Sequence, residues 1–246
     1  MFTGKTPEGC FINVDDGLIV SSPEFCFLQM ASLLPLAGLI LLGYEFCGSY
    51  SMPAVGDPNI PERGFHTRRP LTNVKRIEAF LDRLPGAKGH QNAMKAVRYI
   101  LEGSASPMET KLSIILTLPY KLGGFGFSRP VLNRRVVPSK TEKRFSGKGS
   151  YVCDLFWPDH ALAVEYDSAH FHSSQEQYVG DAKKRADLIK KGITVVTVTK
   201  QQLYNRKELE TIAAAIAKRL GKRLKCGNKP GFVDAHRGLH RLLFDV

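Results

Sequence analysis

The sequence has few cysteines, one tryptophan and no long apolar run. The cysteines form no CxxC pair, which argues against both a disulfide framework and a zinc knuckle. There are five of them, widely spaced: Cys10, Cys26, Cys47, Cys153 and Cys226. The longest apolar stretch, 30–43, contains Pro35 and is too short to cross a bilayer, and no basic segment leads into a hydrophobic signal. We therefore expect a soluble, cytoplasmic protein that does not contact membranes.

Acidic residues are scarce relative to basic ones, and the imbalance is uneven along the chain. The 246 residues include 35 Lys and Arg but 23 Asp and Glu, which gives a net charge of +12. Residues 149–199 carry a net charge of −2, whereas 129–148 carry +6 and 200–246 carry +7. A weakly acidic centre between basic segments suits contact with a phosphate backbone. Lysines that only solubilise surface helices would produce the same excess, and charge alone does not separate the two interpretations.

The hydrophobic pattern indicates a mixed α+β protein with two regions. Residues 1–103 form a mainly helical N-terminal region that starts with a hairpin over 11–20. Residues 104–225 form a second domain with the order αβββαβ and a further helix, and 226–246 form a basic tail without a clear type. The elements predicted in the second domain are a helix at 107–118, strands at 131–137, 151–157 and 161–166, a helix at 175–191, a strand at 193–199 and a helix at 206–220.

Three carboxylates, Asp154, Glu165 and Asp167, lie in or directly after the strands of the predicted hairpin of the second domain, among residues that are otherwise typical of a core strand, and a fourth, Asp159, lies in its loop. The stretch is YVCDLFWPDHALAVEYDSAHFH, from Tyr151 to His172. If its loop has an even number of residues, either 159–160 or 158–161, Asp154 lies opposite Glu165 and both side chains point to one face. Two neighbouring buried carboxylates cannot both ionise cheaply, so this face should bind a proton or a cation. A divalent metal is the sharper hypothesis.

Residues on either side of the hairpin could complete such a site. Glu109 follows Ser106 and Pro107 in a capping box at a helix start, which is by itself a sufficient structural reason for this acid. His170 and His172 follow the second strand, where histidines are either structural or act as proton carriers or metal partners.

The helix predicted after the histidines carries several charges at helical spacing. Asp181, Lys184, Arg185 and Leu188 are expected on one face. Asp181 and Arg185 are four residues apart and could form only a surface ion pair. Alternatively, Lys184 and Arg185 could face a substrate phosphate. The sequence leaves both interpretations open.

Together these residues resemble the PD-(D/E)XK nuclease superfamily, and most closely its endonuclease-domain proteins related to very-short-patch-repair endonucleases. The resemblance covers about residues 104–220 and rests on the segments SPMET, VCDLFWPDHALAVEYDSAHFH and DAKKRADLIKKGITVVTVT. It implies a restriction-endonuclease-like αβββαβ core built on a mixed sheet. The region before residue 103 is only loosely similar to the leading region of antitoxin-like endonuclease-domain proteins, and no residue roles are carried over from it.

The resemblance also implies roles for individual residues. Glu109, Asp154 and Glu165 would bind Mg²⁺, for which Mn²⁺ would substitute, and His170 would assist proton transfer. The superfamily has a lysine where this chain has Asp167. Asp167 would then be a further ligand or His172 a base. The missing positive charge would come from the following helix, from Lys183, Lys184 or Arg185.

The expected activity is Mg²⁺-dependent hydrolysis of phosphodiester bonds, most simply in double-stranded DNA. Basic side chains around the acids would hold the nucleic acid backbone. They are Arg134, Arg135, Lys143, Arg144, Lys148, Lys184 and Arg185. Two alternatives stay open: a non-catalytic, antitoxin-like DNA-binding regulator that keeps the nuclease fold, and a protein-interaction role for the apolar and acidic first fifty residues.

Overall fold

A computed structural model describes residues 7–136, 150–167, 175–224 and 230–244. The chain separates into two compact units, Met1–Thr110 and Lys111–Val246. The division lies inside a helix, Pro107–Thr117, whereas the sequence placed the domain boundary just before it, between residues 103 and 104. In the described parts of the chain, no helix has both the length and the apolar character needed to span a bilayer.

In its described residues, 7–110, the first unit contains a hairpin, four helices and a short pair of strands, followed by the start of the dividing helix. The hairpin and the interruption of the first helical stretch near Pro35 were predicted and are confirmed. The first helix starts where Ser22 accepts a hydrogen bond from the Phe25 N–H at 3.2 Å. The elements are β1 (Phe11–Asp15), β2 (Leu18–Ser21), α1 (Pro23–Met30), α2 (Leu36–Cys47), β3 (Tyr50–Ser51), β4 (His66–Thr67), α3 (Val74–Asp82), α4 (His90–Val97) and α5 (Pro107–Thr117).

The second unit contains a four-stranded mixed sheet in the order β5–β6–β7–β8. The first two pairings are antiparallel and β7 pairs with β8 in parallel. Parallel neighbours need a crossover, which here contains α6. The bounds are β5 (Val131–Val136), β6 (Tyr151–Trp157), β7 (Leu162–Asp167), α6 (Gln175–Lys190), β8 (Thr194–Thr199), α7 (Lys200–Tyr204), α8 (Arg206–Arg219) and α9 (Pro230–Phe244). The predicted α+β class and the predicted order of elements up to α8 are confirmed, apart from the short α7, which the sequence did not reveal.

The loop of the β6–β7 hairpin is the longer of the two alternatives considered. Trp157 pairs with Leu162, which leaves the four residues 158–161 in the loop. Three of these form a short 3₁₀ turn, and Ala161 has a left-handed backbone conformation with a φ of 43°. The even number of loop residues sets the register that the sequence argument required.

The basic tail predicted for 226–246 instead contains a helix, α9, whose apolar face belongs to the core of the second unit. His236 and Phe232 pack against Phe125, with ring centroids 5.1 and 6.3 Å apart. His236 is 1% exposed and its Nδ1 lies 2.6 Å from the Gly123 carbonyl oxygen. A side chain at Gly123 would come within 2.3 Å of the Ala235 carbonyl oxygen. The close approach of α9 to this turn therefore requires a glycine at position 123.

His236 should make the second unit sensitive to acid. Burial lowers the pKa of His236, and within the described residues its Nε2 has no partner to receive a proton from it. The unfolded chain therefore binds this proton more readily, and stability should fall as the pH drops below about 6.5. Urea unfolding followed between about pH 7.5 and pH 5 should show this loss. The variant His236→Asn can still donate to Gly123 but does not titrate, so it should show a shallower pH dependence; equal dependence in both proteins would contradict the account.

Candidate functional site

The acidic residue Glu165 on β7 forms an ion pair with the α6 residue Lys184. Lys184 Nζ lies 2.6 Å from Glu165 Oε2, and the two side chains are only 23% and 14% exposed. The second carboxylate oxygen, Oε1, is buried and has no hydrogen-bond partner among the described residues. A buried carboxylate oxygen without a partner is costly, so this atom is the place where a cation or a proton would bind.

Burial and the mutual attraction of Glu165 and Lys184 together determine the pKa values of the two groups. Burial raises the pKa of Glu165, and the Lys184 ammonium opposes that rise. Burial lowers the pKa of Lys184, but Glu165, helped by Asp154, more than offsets this, so the Lys184 pKa is raised overall. Lys184 therefore keeps its proton at neutral pH. The Cys153 thiol and the Asp154 backbone N–H also lie close enough to lower the Glu165 pKa, although neither makes a well-aligned hydrogen bond to Oε1.

Asp154 lies where strands β6 and β7 separate. Their paired residues end at Leu155 and Val164, one step before Asp154 would meet Glu165. The Asp154 carboxylate instead accepts a hydrogen bond from the Tyr166 backbone N–H at 2.8 Å. Asp154 and Glu165 therefore do not face each other directly, as was expected, because the two strands separate at this level. Both acids still raise the pKa of Lys184.

The opening coincides with an irregularity in the neighbouring strands. Cys153 and Phe156 pack into the same cluster, although a regular strand would place residues three apart on opposite faces. On the other side of β6, Asn133 has a left-handed φ of 47° between the pairs Leu132–Leu155 and Arg134–Cys153. We infer that the side chains of β6 change from one face of the sheet to the other near Asp154. This explains why simple alternation of faces did not predict the position of the Asp154 side chain.

Two contacts that the sequence analysis missed hold α6, and with it Lys184, against the sheet. The Tyr151 hydroxyl donates to Asp187 Oδ2 at 2.5 Å. One turn of helix separates Asp187 from Lys184, and the next residue, Leu188, is buried with Cys153. The sequence shows that Lys184 and Asp187 are three residues apart, which is helical spacing. It does not distinguish Asp187 from an ordinary solvent-exposed acid on a helix surface.

Glu109 has a structural role in the first unit, as its capping box predicted. Its backbone N–H donates to Ser106 Oγ at 3.2 Å, and its Oε2 accepts from the Ala105 N–H at 2.9 Å. In a standard capping box the Glu side chain accepts a hydrogen bond from the backbone N–H of the cap residue. Here it accepts one from the residue before the cap instead. Glu109 belongs to Met1–Thr110 and the Asp154–Glu165 pair belongs to Lys111–Val246. Its participation in metal binding stays a prediction.

The remaining predicted residues are partly outside the described chain. His170, His172, Lys143, Arg144 and Lys148 are outside it. Asp167 is the last residue of β7 and is half-buried. Of the predicted backbone contacts, Arg134, Arg135 and Arg185 are exposed, whereas Lys184 is the Glu165 partner. Arg185 does not share the buried face of α6 with Lys184 and Leu188, which corrects the expectation of one common face, and the Asp181 side chain is outside the described chain.

The acids of the second unit fit a hard divalent cation in the type of atom that they offer. Mg²⁺ and Mn²⁺ prefer carboxylate oxygens, and Glu165 Oε1 is such an oxygen without a partner. Within the described ranges no three His, Cys, Asp or Glu side chains lie close enough together to bind a metal, and both predicted histidines are outside those ranges. The metal site therefore stays a prediction.

Comparison of the chain with protein-family models, with curated proteins and with solved structures finds no match. The similarity to the nuclease superfamily thus rests on the motif residues alone. The geometry of Lys184, Glu165 and Asp154 is the structural observation on which a function can be argued.

The Lys184–Glu165 pair should have an asymmetric effect on stability. Lys184→Met leaves Glu165 buried without its partner, so unfolding free energy should fall by an amount near the lower end of roughly 3–5 kcal/mol. In Lys184→Met/Glu165→Gln the remaining group is neutral, and much of that loss should be recovered. Urea denaturation of the wild type, both single variants and the double variant measures the coupling. Additive effects of the two substitutions would show that the pair is not coupled in solution.

Proposed function

We propose that the protein is a metal-dependent nuclease that hydrolyses phosphodiester bonds in DNA, most simply double-stranded DNA, and acts in the cytoplasm. The observation that carries the proposal is Lys184 Nζ, 2.6 Å from Glu165 Oε2. This contact places the ammonium group of an α6 side chain beside the two acids of the hairpin, Asp154 and Glu165. The proposal includes membership of the PD-(D/E)XK superfamily, whose motif lysine is replaced in this chain by Asp167.

The arrangement of the strands supports a restriction-endonuclease-like core. Helix α5 precedes β5, β6 and β7, and α6 leads to the parallel strand β8. The acids lie at the level where the β6–β7 pairing stops, so their side chains are not enclosed by a continuous ladder. We propose that a phosphate and a cation bind beside the two carboxylates at this level.

Lys184 supplies the charge that Asp167 does not. Its ammonium group is held in place by Glu165 and by the packing of α6, and its raised pKa keeps it protonated at neutral pH. A fixed positive charge at this point can orient a scissile phosphate and offset the negative charge that develops during hydrolysis. The lysine of the helix thereby takes the place of a lysine in the strand.

Asp154 and Glu165 are the residues that would hold Mg²⁺ or Mn²⁺, and Glu109 is the proposed third ligand. A divalent cation bound there lowers the pKa of a water molecule and offsets phosphate charge. Glu165 can keep Oε2 on Lys184 while Oε1, which has no hydrogen-bond partner in the described chain, faces the cation. Asp154 keeps its position through the Tyr166 N–H. His170 would carry the proton.

Exposed arginines would hold the DNA backbone around these acids. Arg134 and Arg135 lie on the edge strand β5, next to the basic segment that follows it, and Arg185 is exposed on α6. Contacts of this kind bind phosphate irrespective of sequence and weaken as salt rises. We therefore expect affinity for DNA with little sequence preference from this part of the chain.

One observation favours the second candidate, a DNA-binding regulator without catalytic activity. The Lys184–Glu165 ion pair already neutralises Glu165, so the acid has a structural reason to be there without any metal. A regulator of this kind would bind DNA in the presence of a chelator and would not require Asp154.

The nuclease proposal predicts a selective effect of removing one charge. Asp154→Asn retains an oxygen that can accept from Tyr166, so the fold should survive, but it removes the negative charge. Cleavage of plasmid DNA in Mg²⁺ or Mn²⁺ should fall by at least about 100-fold, the effect of removing one group that stabilises the transition state.

The matched control is Asp159→Asn, which removes a carboxylate from the exposed loop of the same hairpin. It should cleave at the wild-type rate. If wild-type protein cuts neither DNA nor RNA with either metal, the enzyme proposal fails. If it also binds DNA in chelator as tightly as in Mg²⁺, and Asp154→Asn binds equally well, the regulator is the better account.

A further inference from the structure

Two lysines of the second unit lie over a pair of aromatic rings that contact each other. Lys111 belongs to α5, and its Nζ is 5.8 Å from the centre of the Phe244 ring. Lys200 is the first residue of α7, and its Nζ is 5.7 Å from the centre of the Tyr204 ring. The centroids of the two rings are 5.2 Å apart. Three separate elements, α5, α7 and the end of α9, therefore bring two ammonium groups close together.

The charge of Lys111 is not balanced by the described chain. Lys111 is half-buried, and burial together with the Lys200 ammonium group lowers its pKa. Among the described residues, no acid forms an ion pair with Lys111. Aromatic rings attract an ammonium group but carry no net charge, so the two rings do not neutralise it. A half-buried cation beside a second cation is unfavourable, and an anion bound to both would remove the repulsion.

This lysine pair lies close to the acids of the candidate site. Strands β7 and β8 are parallel neighbours, and Glu165 pairs with Thr197 while Asp167 pairs with Thr199. Thr199 is thus about 7 Å along the strands from the level of Glu165, and Lys200 follows it directly. Successive phosphates of one DNA strand are about 3.4 Å apart along the helix axis. A strand with one phosphate at the acids therefore has another phosphate within reach of the lysines.

We propose that Lys111 and Lys200 together bind a phosphate group of the nucleic acid, a few nucleotides from the phosphate that is cleaved. The ligand can reach them from solvent, because the Tyr204 side chain between them is 40% exposed. The inference rests on the proposed function, because it places the acids and the lysines on one substrate. It adds a contact that the arginines of β5 do not make, since β5 and β8 are the opposite edges of the sheet. The nucleic acid is then held on both sides of the acids.

The test is DNA binding by the full chain in a chelator, where no metal-dependent cleavage takes place. Lys111→Met and Lys200→Met each remove one charge and keep a flexible side chain against the ring. In fluorescence anisotropy with a labelled duplex, each variant should bind at least about fivefold more weakly than the wild type, whatever the DNA sequence. The slope of log affinity against log salt concentration should fall by about one in each variant.

The matched control is Lys88→Met, which removes the same charge from an exposed side chain of the first unit. It should bind DNA within about twofold of the wild type. Urea unfolding separates a binding role from a structural one. Lys111→Met should unfold at the same urea concentration as the wild type or at a higher one, because it removes a repulsion from the free protein. A loss of stability would show that Lys111 has an acidic partner within the chain and would overturn the proposal.

Acetylation of lysine amines, followed by mass spectrometry, gives an independent result. DNA should protect Lys111 and Lys200 and should leave Lys88 reactive. Equal protection by inorganic phosphate at the same phosphate concentration would overturn the assignment to nucleic acid. Protein that binds DNA through these lysines without cutting it would contradict the nuclease and support the lysine site. Unchanged DNA affinity in both lysine variants, or a wild type that does not bind DNA, would overturn the proposal.

Discussion

The ion pair between Lys184 and Glu165 is the interaction on which the arrangement of the second unit depends. It joins α6 to β7 at a distance of 2.6 Å in a place with little solvent. Two partly buried charges are costly unless they satisfy each other, so the helix must keep Lys184 over the sheet. The Tyr151–Asp187 hydrogen bond and the buried Leu188 secure that position from the next turn of α6.

The separation of β6 from β7 gives this ion pair its potential for chemistry. If the strand pairing continued past Leu155, Asp154 would lie in a regular ladder directly opposite Glu165. Instead, its carboxylate accepts the Tyr166 N–H, and one oxygen of Glu165 is left without a partner among the described residues. The result is a site with two carboxylates and one fixed cation.

The sequence predicted the elements better than it predicted the geometry of the site. Strong periodicity and turn residues located the hairpin, because these signals are local, but whether its loop had an even number of residues was only a condition of the argument, and the structure supplied the answer. Helix α9 was missed because its buried face includes His236, which composition alone assigns to the surface. Lys184 was one of three residues that could replace the positive charge of the missing motif lysine. Only the packing of α6 against the sheet distinguishes it from Lys183 and Arg185. The displacement of Asp154 depends on an irregularity shared with Asn133, which no single-strand pattern reveals.

The most direct test of the central claim is a crystal structure of the protein grown with Mn²⁺, with the ion located by its anomalous scattering. The account predicts one strong peak within about 2.5 Å of carboxylate oxygens of both Asp154 and Glu165, with Lys184 still beside Glu165. A fully occupied crystal form with no peak at these acids, or a peak bound only elsewhere, would contradict the claim that Lys184, Glu165 and Asp154 form a metal-dependent catalytic site.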